Sequence, residues 1–210
     1  MQGSITTMKK LFDVFKKQDK TIYVVSGLPR SGTSMMMKML EAGGLQPLTD
    51  HERTADDDNP KGYYEFERVK KMQEGDIGWI NDAPGKVIKV ISYLLQHLPA
   101  SYEYKVIFMR RAMPEILASQ KKMLINRGEP TDKVSDEELT LLYEKHLEKT
   151  FTWINEQKNI SCLQVDYNQL LKEPGTLVPQ IQAFLGHKVN LDQMAEVVDP
   201  ALYRQRKTIG

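Results

Sequence analysis

Two hydrophobic patterns take turns along the chain. Short β-branched runs, Thr21–Ser26 (TIYVVS), Val87–Ile91, Val106–Met109 and Ile160–Val165, read as four buried strands. A strand covered on both faces needs no polar alternation. Between the runs, apolar residues recur at helical spacing. Met8, Leu11, Phe12 and Phe15 predict a short amphipathic helix over residues 5–17. Thr33–Ala42 predicts a helix that stops at Gly43-Gly44. Further helices are expected over Glu67–Gly75, Pro114–Asn126, 175–185 and 190–197. Ser135-Asp136-Glu137-Glu138 has the form of a capping box and opens a long helix to about Gln157. Residues 45–62, with Asp56-Asp57-Asp58 before Asn59-Pro60, read as a surface loop.

Strands separated by helices predict α/β architecture, with a mainly parallel central sheet between two helical layers. The pattern fits one domain over residues 1–210, with a lead-in at 1–20 and a basic tail at 200–210. Sheets of this kind take ligands at the carboxyl ends of their strands, so the residues just after each strand carry the functional information.

Composition narrows the classes. The 210 residues are 40% hydrophobic, and 29 Lys and Arg face 28 Asp and Glu for a net charge of +1. That balance gives no case for a nucleic-acid partner, so any anion site must come from local placement of basic groups. Cys162 is the single cysteine, which excludes an intrachain disulfide and fits a reducing compartment. The opening segment has no apolar signal core and no run approaches a bilayer-spanning length, so a cytoplasmic enzyme without a membrane span is expected. His51, His97, His146 and His187 are scattered and form no metal-ligand spacing, so no metal is expected.

After the first strand comes Gly27-Leu28-Pro29-Arg30-Ser31-Gly32-Thr33-Ser34. The glycine spacing is that of a phosphate-binding turn opening a helix, where backbone N–H groups and the helix dipole favour an anion. The architecture is therefore P-loop-like. The lysine that reaches the outer phosphates of a nucleoside triphosphate is missing, since position 33 is threonine. A positive charge sits instead at Arg30. No predicted strand ends in the aspartate expected to help hold Mg²⁺; the third ends in Met109-Arg110-Arg111. Both departures disfavour a kinase or NTPase.

The stretch SGLPRSGTS resembles the 5′-phosphosulfate loop of the sulfotransferases that use 3′-phosphoadenosine 5′-phosphosulfate (PAPS). The resemblance implies that Arg30, Ser31, Gly32, Thr33 and Ser34 bind the 5′ end of that donor. A second motif is independent of the first. VIFMRRAMPEILAS resembles the family's 3′-phosphate motif, a strand ending in Arg and a helical Ser eight residues later, which Arg111 and Ser119 satisfy. Arg110 is the rival arginine, and Ala112-Met113-Pro114 replaces the family's common Asp-Pro. Tyr167 in VDYNQL resembles a tyrosine beside the nucleotide, and Arg204 in LYRQRK resembles a basic segment that closes over it.

Sulfuryl transfer requires a base for the acceptor and a cation at the leaving phosphate oxygen. The segment GYYEFE resembles a G-Y-x-E element whose glutamate is the base, which implies Glu65. Glu67 is the alternative, because extended-chain alternation places both carboxylates on one face. Lys89 lies inside an apolar strand, where a lysine needs a partner. The resemblance implies a lysine near the end of this strand at the departing phosphate, which makes Lys89 the candidate over Lys86 at the strand's start, with Arg30 beside the transferring group. Trp79 fits an acceptor pocket or the core equally. The acceptor is undetermined among small molecules, sugars, lipids and peptides. A P-loop kinase or NTPase and a non-catalytic nucleotide-binding regulator are the rival readings.

Overall fold

The computed structural model describes residues 21–50, 64–131, 133–186 and 188–198. The expected helix at 5–17, the loop centred on Asp56–Asp58 and the basic tail with Arg204 lie outside them. Four strands form the sheet: β1 (Thr21–Gly27), β2 (Val87–Lys89), β3 (Glu103–Arg110) and β4 (Ile160–Asp166). All pair in parallel, in the order β2-β1-β3-β4. The chain leaves β1 for β2 on one side and then crosses to β3 on the other. The strand order therefore reverses around β1, and the crevice at the carboxyl ends of β1 and β3 is where such a sheet accepts a ligand.

Alternation along β1 assigns its two faces. Ile22 and Val24 pack with Ile116, Leu117, Tyr143, Leu147 and Ile154. These come from α3 (Met113–Asn126) and α4 (Asp136–Glu156), which cover that face. Tyr23 and Val25 face the other way, onto Met36, Met37 and Leu40 of α1 (Thr33–Ala42). The same side is completed by α5 (Tyr167–Lys172), α6 (Pro174–Leu185) and α7 (Leu191–Glu196). The run of methionines in α1 is thus core packing. No helix among the described residues is long and apolar enough to cross a membrane.

The long helix begins where its capping box predicts. Ser135 Oγ accepts from the Glu138 N–H at 3.1 Å and Glu138 Oε2 accepts from the Ser135 N–H at 3.3 Å. Two expectations need correction. The helix expected over 67–75 is α2 (Glu67–Lys70) followed by a 3₁₀ turn at Met72–Glu74, closed by Gly75 at φ +93°. β2 ends at Lys89 instead of Ile91; only the Val90 N–H still reaches the Val25 carbonyl, before a 3₁₀ turn at Ser92–His97. β1 runs on two residues past the Val25–Lys89 pair, to Gly27, so β2 stops because its own chain leaves the sheet for the 3₁₀ turn and not for want of a neighbour.

Candidate functional site

The turn after β1 is built by backbone conformations that few residues tolerate. Gly27 and Gly32 have φ of +148° and +100°. A Cβ on Gly27 would meet Ser31 Oγ at 2.5 Å and the Met109 carbonyl at 2.8 Å. A Cβ on Gly32 would meet the Tyr167 ring at 2.4 Å. Arg30 also takes positive φ, +67°, an uncommon conformation for a side-chain-bearing residue. Ser31 is buried and donates to the Leu28 carbonyl at 2.7 Å, closing the turn from within. α1 starts at Gly32 with no side-chain cap. A helix start without a side-chain cap is the form in which a phosphate-binding turn presents its first N–H groups.

β3 lies beside β1, so its end reaches the same crevice. Arg111, its side chain 8% exposed, donates from Nη1 to the Arg30 carbonyl at 3.0 Å and lies over the Tyr167 ring, 4.6 Å from its centroid. Arg110 goes elsewhere: it donates to Gln164 Oε1 at 3.2 Å and sits 5.3 Å from the Phe151 ring centroid. Of the two arginines, Arg111 is thus the one beside the loop. Ser119, two turns into α3 and buried, accepts from Arg30 Nε at 2.9 Å. The charge in the loop therefore reaches toward the Ser119 end of the crevice. Tyr167, the first residue of α5, fills the space between Gly32 and Arg111; burial raises the pKa of its phenol, against an opposing pull from Arg111.

On the other side of β1, Lys89 at the end of β2 donates to Ser34 Oγ at 3.1 Å. This brings the expected strand lysine onto the first turn of α1. Glu65 belongs to a separate strap along β2. The Leu48 N–H pairs with the Val87 carbonyl at 2.8 Å, and Thr49 Oγ1 donates to the Glu65 carbonyl at 2.7 Å. The Glu67 N–H donates to Asp50 Oδ2 at 2.6 Å. Glu65 and Glu67 both meet Lys70 Nζ, at 3.0 and 2.6 Å. Burial disfavours the Lys70 ammonium, but its bonds to Glu67 and Glu65 outweigh that and raise its pKa. Glu65 is the less exposed carboxylate, 18% against 37% for Glu67.

Trp79 anchors this strap. It is buried, meets the Phe66 ring edge-on at 5.6 Å and donates from Nε1 to the Asp76 carbonyl at 3.0 Å. It belongs to the core. Cys162 is partly buried, and burial pushes its thiol up to about 11, unlike a nucleophile.

The absence of a strand-terminal aspartate needs correction, because β4 runs to Asp166. Its carboxylate accepts from the Gln169 N–H at 2.8 Å and caps α5. That helix was not foreseen, although Asp166 three residues before Gln169 is itself a capping signal. Glu115 was also missed. It is 5% exposed and accepts from Arg111 Nε and Asn168 Nδ2, each at 2.9 Å. Its sequence signal was its place one helical turn after Arg111, at i,i+4 spacing.

No family model and no curated protein matches the chain. Solved structures do match its fold. The sulfotransferase STF1 of Mycobacterium tuberculosis H37Rv aligns over 92% of this chain and 74% of its own, at 17% identity and a TM-score of 0.57. The sulfotransferase domain of the curacin biosynthetic pathway aligns over 85% of this chain and 78% of its own, at 13% identity and a TM-score of 0.53. The parallel sheet, its flanking helices and these likenesses together give the chain the fold of the sulfotransferases.

Proposed function

We propose that the chain is a sulfotransferase that moves a sulfuryl group from PAPS to an acceptor hydroxyl or amine by in-line displacement, releasing adenosine 3′,5′-bisphosphate. One observation carries the reading. The phosphate turn after β1 and the Arg111–Ser119 pair after β3 meet at a single residue, Arg30, through its carbonyl and its guanidinium. Two anion-binding elements joined in this way suit a ligand with phosphates at both ends. The residues present also fit such a donor set: an uncapped helix start, two arginines, a buried serine hydroxyl and Lys89. Thr33 replaces the lysine needed for a triphosphate, and Asp166 is engaged as a helix cap.

The donor, when bound, supplies an activated sulfuryl group. Arg111 and Ser119 hold its 3′-phosphate, with Tyr167 beneath the arginine. The N–H groups of residues 32–34 and the side chains of Thr33 and Ser34 hold its 5′ end, on a turn that the Ser31 N–H closes onto the Leu28 carbonyl. Lys89, on the first turn of α1, stabilises charge on the departing phosphate oxygen. The sequence places Arg30 beside the transferring group, but its guanidinium bonds Ser119 and is proposed instead to serve the 3′-phosphate end, with its backbone in the turn. Glu65 accepts the acceptor's proton, with Lys70 keeping a positive charge beside it. Arg204 is proposed to close over the nucleotide. The enzyme is expected in the cytoplasm, with no nucleic-acid partner and no metal.

Thermal unfolding with two nucleotides tests this. A ligand that binds the folded chain raises its melting temperature by mass action. Adenosine 3′,5′-bisphosphate should raise it far more than AMP, which leaves Arg111 and Ser119 without a phosphate. Equal stabilisation by the two would refute the assignment.

A further inference from the structure

Glu115 is a carboxylate in the interior, and carboxylates stay there only when paired. Its pairing links three parts of the chain. One oxygen accepts from Arg111 Nε at the end of β3, and the other from Asn168 Nδ2 in α5. Arg111 in turn donates to the Arg30 carbonyl of the phosphate turn. Glu115 lies in the first turn of α3, where the helix dipole favours its charge. Both partners of the ion pair are nearly inaccessible, at 8% and 5% exposure. A buried pair of this kind is no strong source of stability, because desolvation offsets the attraction. What it does supply is direction.

An arginine side chain is long, and its fork is useful only when aimed. Here Glu115 takes the Nε edge, the Arg30 carbonyl takes Nη1, and the Tyr167 ring covers one face. Those contacts occupy Nε, Nη1 and one face of the guanidinium, and Nη2 is the nitrogen they leave for a ligand. We propose that Glu115 is the positioning residue of the 3′-phosphate half of the site, holding Arg111 in the one orientation that meets that phosphate, with Asn168 steadying the carboxylate. The inference rests on the sulfotransferase reading for the identity of the phosphate, though not for the aim of Arg111.

Charge and geometry predict opposite signs, and this makes the proposal testable. Glu115→Gln keeps the shape and removes a negative charge from an anion site. If Glu115 acted only as a charge, adenosine 3′,5′-bisphosphate would bind more tightly to the variant. If Glu115 aims Arg111, the bisphosphate should bind roughly ten- to a hundredfold more weakly, the range seen when groups that orient metal ligands are removed. AMP affinity should barely change. Titration calorimetry of the whole chain with both nucleotides reads the ratio. A tighter bisphosphate, or an unchanged ratio with only a lower melting temperature, overturns the proposal. Asn168→Ala leaves the carboxylate in place and should lower the ratio by a smaller factor; an unchanged ratio there also counts against it, even if Glu115→Gln fails to fold. Should the unmodified chain bind neither nucleotide, the sulfotransferase reading falls, and Glu115 is judged separately. The Arg111 Nε–H resonance, assigned by its loss in Arg111→Lys, should be resolved and protected from exchange. Its collapse in Glu115→Gln or in Asn168→Ala supports positioning, and its persistence unchanged overturns it.

Discussion

Replacing Gly32 by alanine tests how the phosphate turn is packed. Two costs follow from the geometry. Gly32 sits at φ +100°, and a left-handed backbone costs an L-residue about 1–2 kcal/mol. The new methyl would also lie 2.4 Å from Tyr167 Cδ2 and 2.9 Å from Cε2, so the ring must move. Overpacking of a tight interior costs about 1–3 kcal/mol. Together the loss is about 2–5 kcal/mol, or roughly 4–20 °C in melting temperature at the 2–4 °C per kcal/mol of a chain this size. The ring cannot move alone, because Arg111 rests on it. Binding of the bisphosphate should therefore weaken along with stability. Chemical denaturation of Gly32→Ala, Tyr167→Ala and the double variant separates the two costs. Removing the ring abolishes the clash and leaves the backbone cost, so the double variant should be more stable than the sum of the singles by at least about 1 kcal/mol. Additivity within about 0.5 kcal/mol would show that Tyr167 does not press on the turn.

Two other outcomes are expected. Glu65→Gln should lower turnover by roughly two to four decades with nucleotide affinity little changed, as for a general base. Glu67→Gln should be mild, and the reverse result in a PAPS transfer assay would make Glu67 the base. Burial lowers the pKa of His146 below its usual 6.5, where it hydrogen-bonds Ser92 Oγ at 2.9 Å and stacks on Tyr93. The unfolded chain then takes up a proton near pH 6.5 and the folded chain only at lower pH, so this residue's contribution falls as pH drops through that window. Urea unfolding at about pH 7 and about pH 5 should show a smaller acid loss in His146→Gln, and an identical loss would refute that account.

Local chemistry made much of this protein readable before its structure. The Ser135–Glu138 box marked the start of α4 because capping involves four consecutive residues and nothing distant. TIYVVS marked β1 because a doubly covered strand has little room for polar residues. What stayed hidden depended on neighbours. The 3₁₀ turns at Gly78–Asp82 and Ser92–His97 carry Trp79, Leu94 and Leu95, which are held by tertiary packing. The choice between Arg110 and Arg111 turned on which face each presents as β3 ends, and adjacent strand residues face opposite ways. Glu65 and Glu67 share a partner in Lys70, but not through extended-chain alternation, because Glu67 already opens the helix that carries Lys70 one turn on.

Arg30 serves the loop with its backbone and the far end of the crevice with its side chain, and this has a consequence for selectivity. On the proposed reading, the spacing between the two anion-binding ends is set by one residue, held at its carbonyl by Arg111 and at its guanidinium by Ser119. The crevice then behaves as a gauge of fixed length. Once one end of a ligand is seated, contact at the other becomes intramolecular, and its effective concentration is high only for ligands whose two anionic groups match the gap. A nucleotide of the right charge but the wrong spacing would gain one end and forfeit the other.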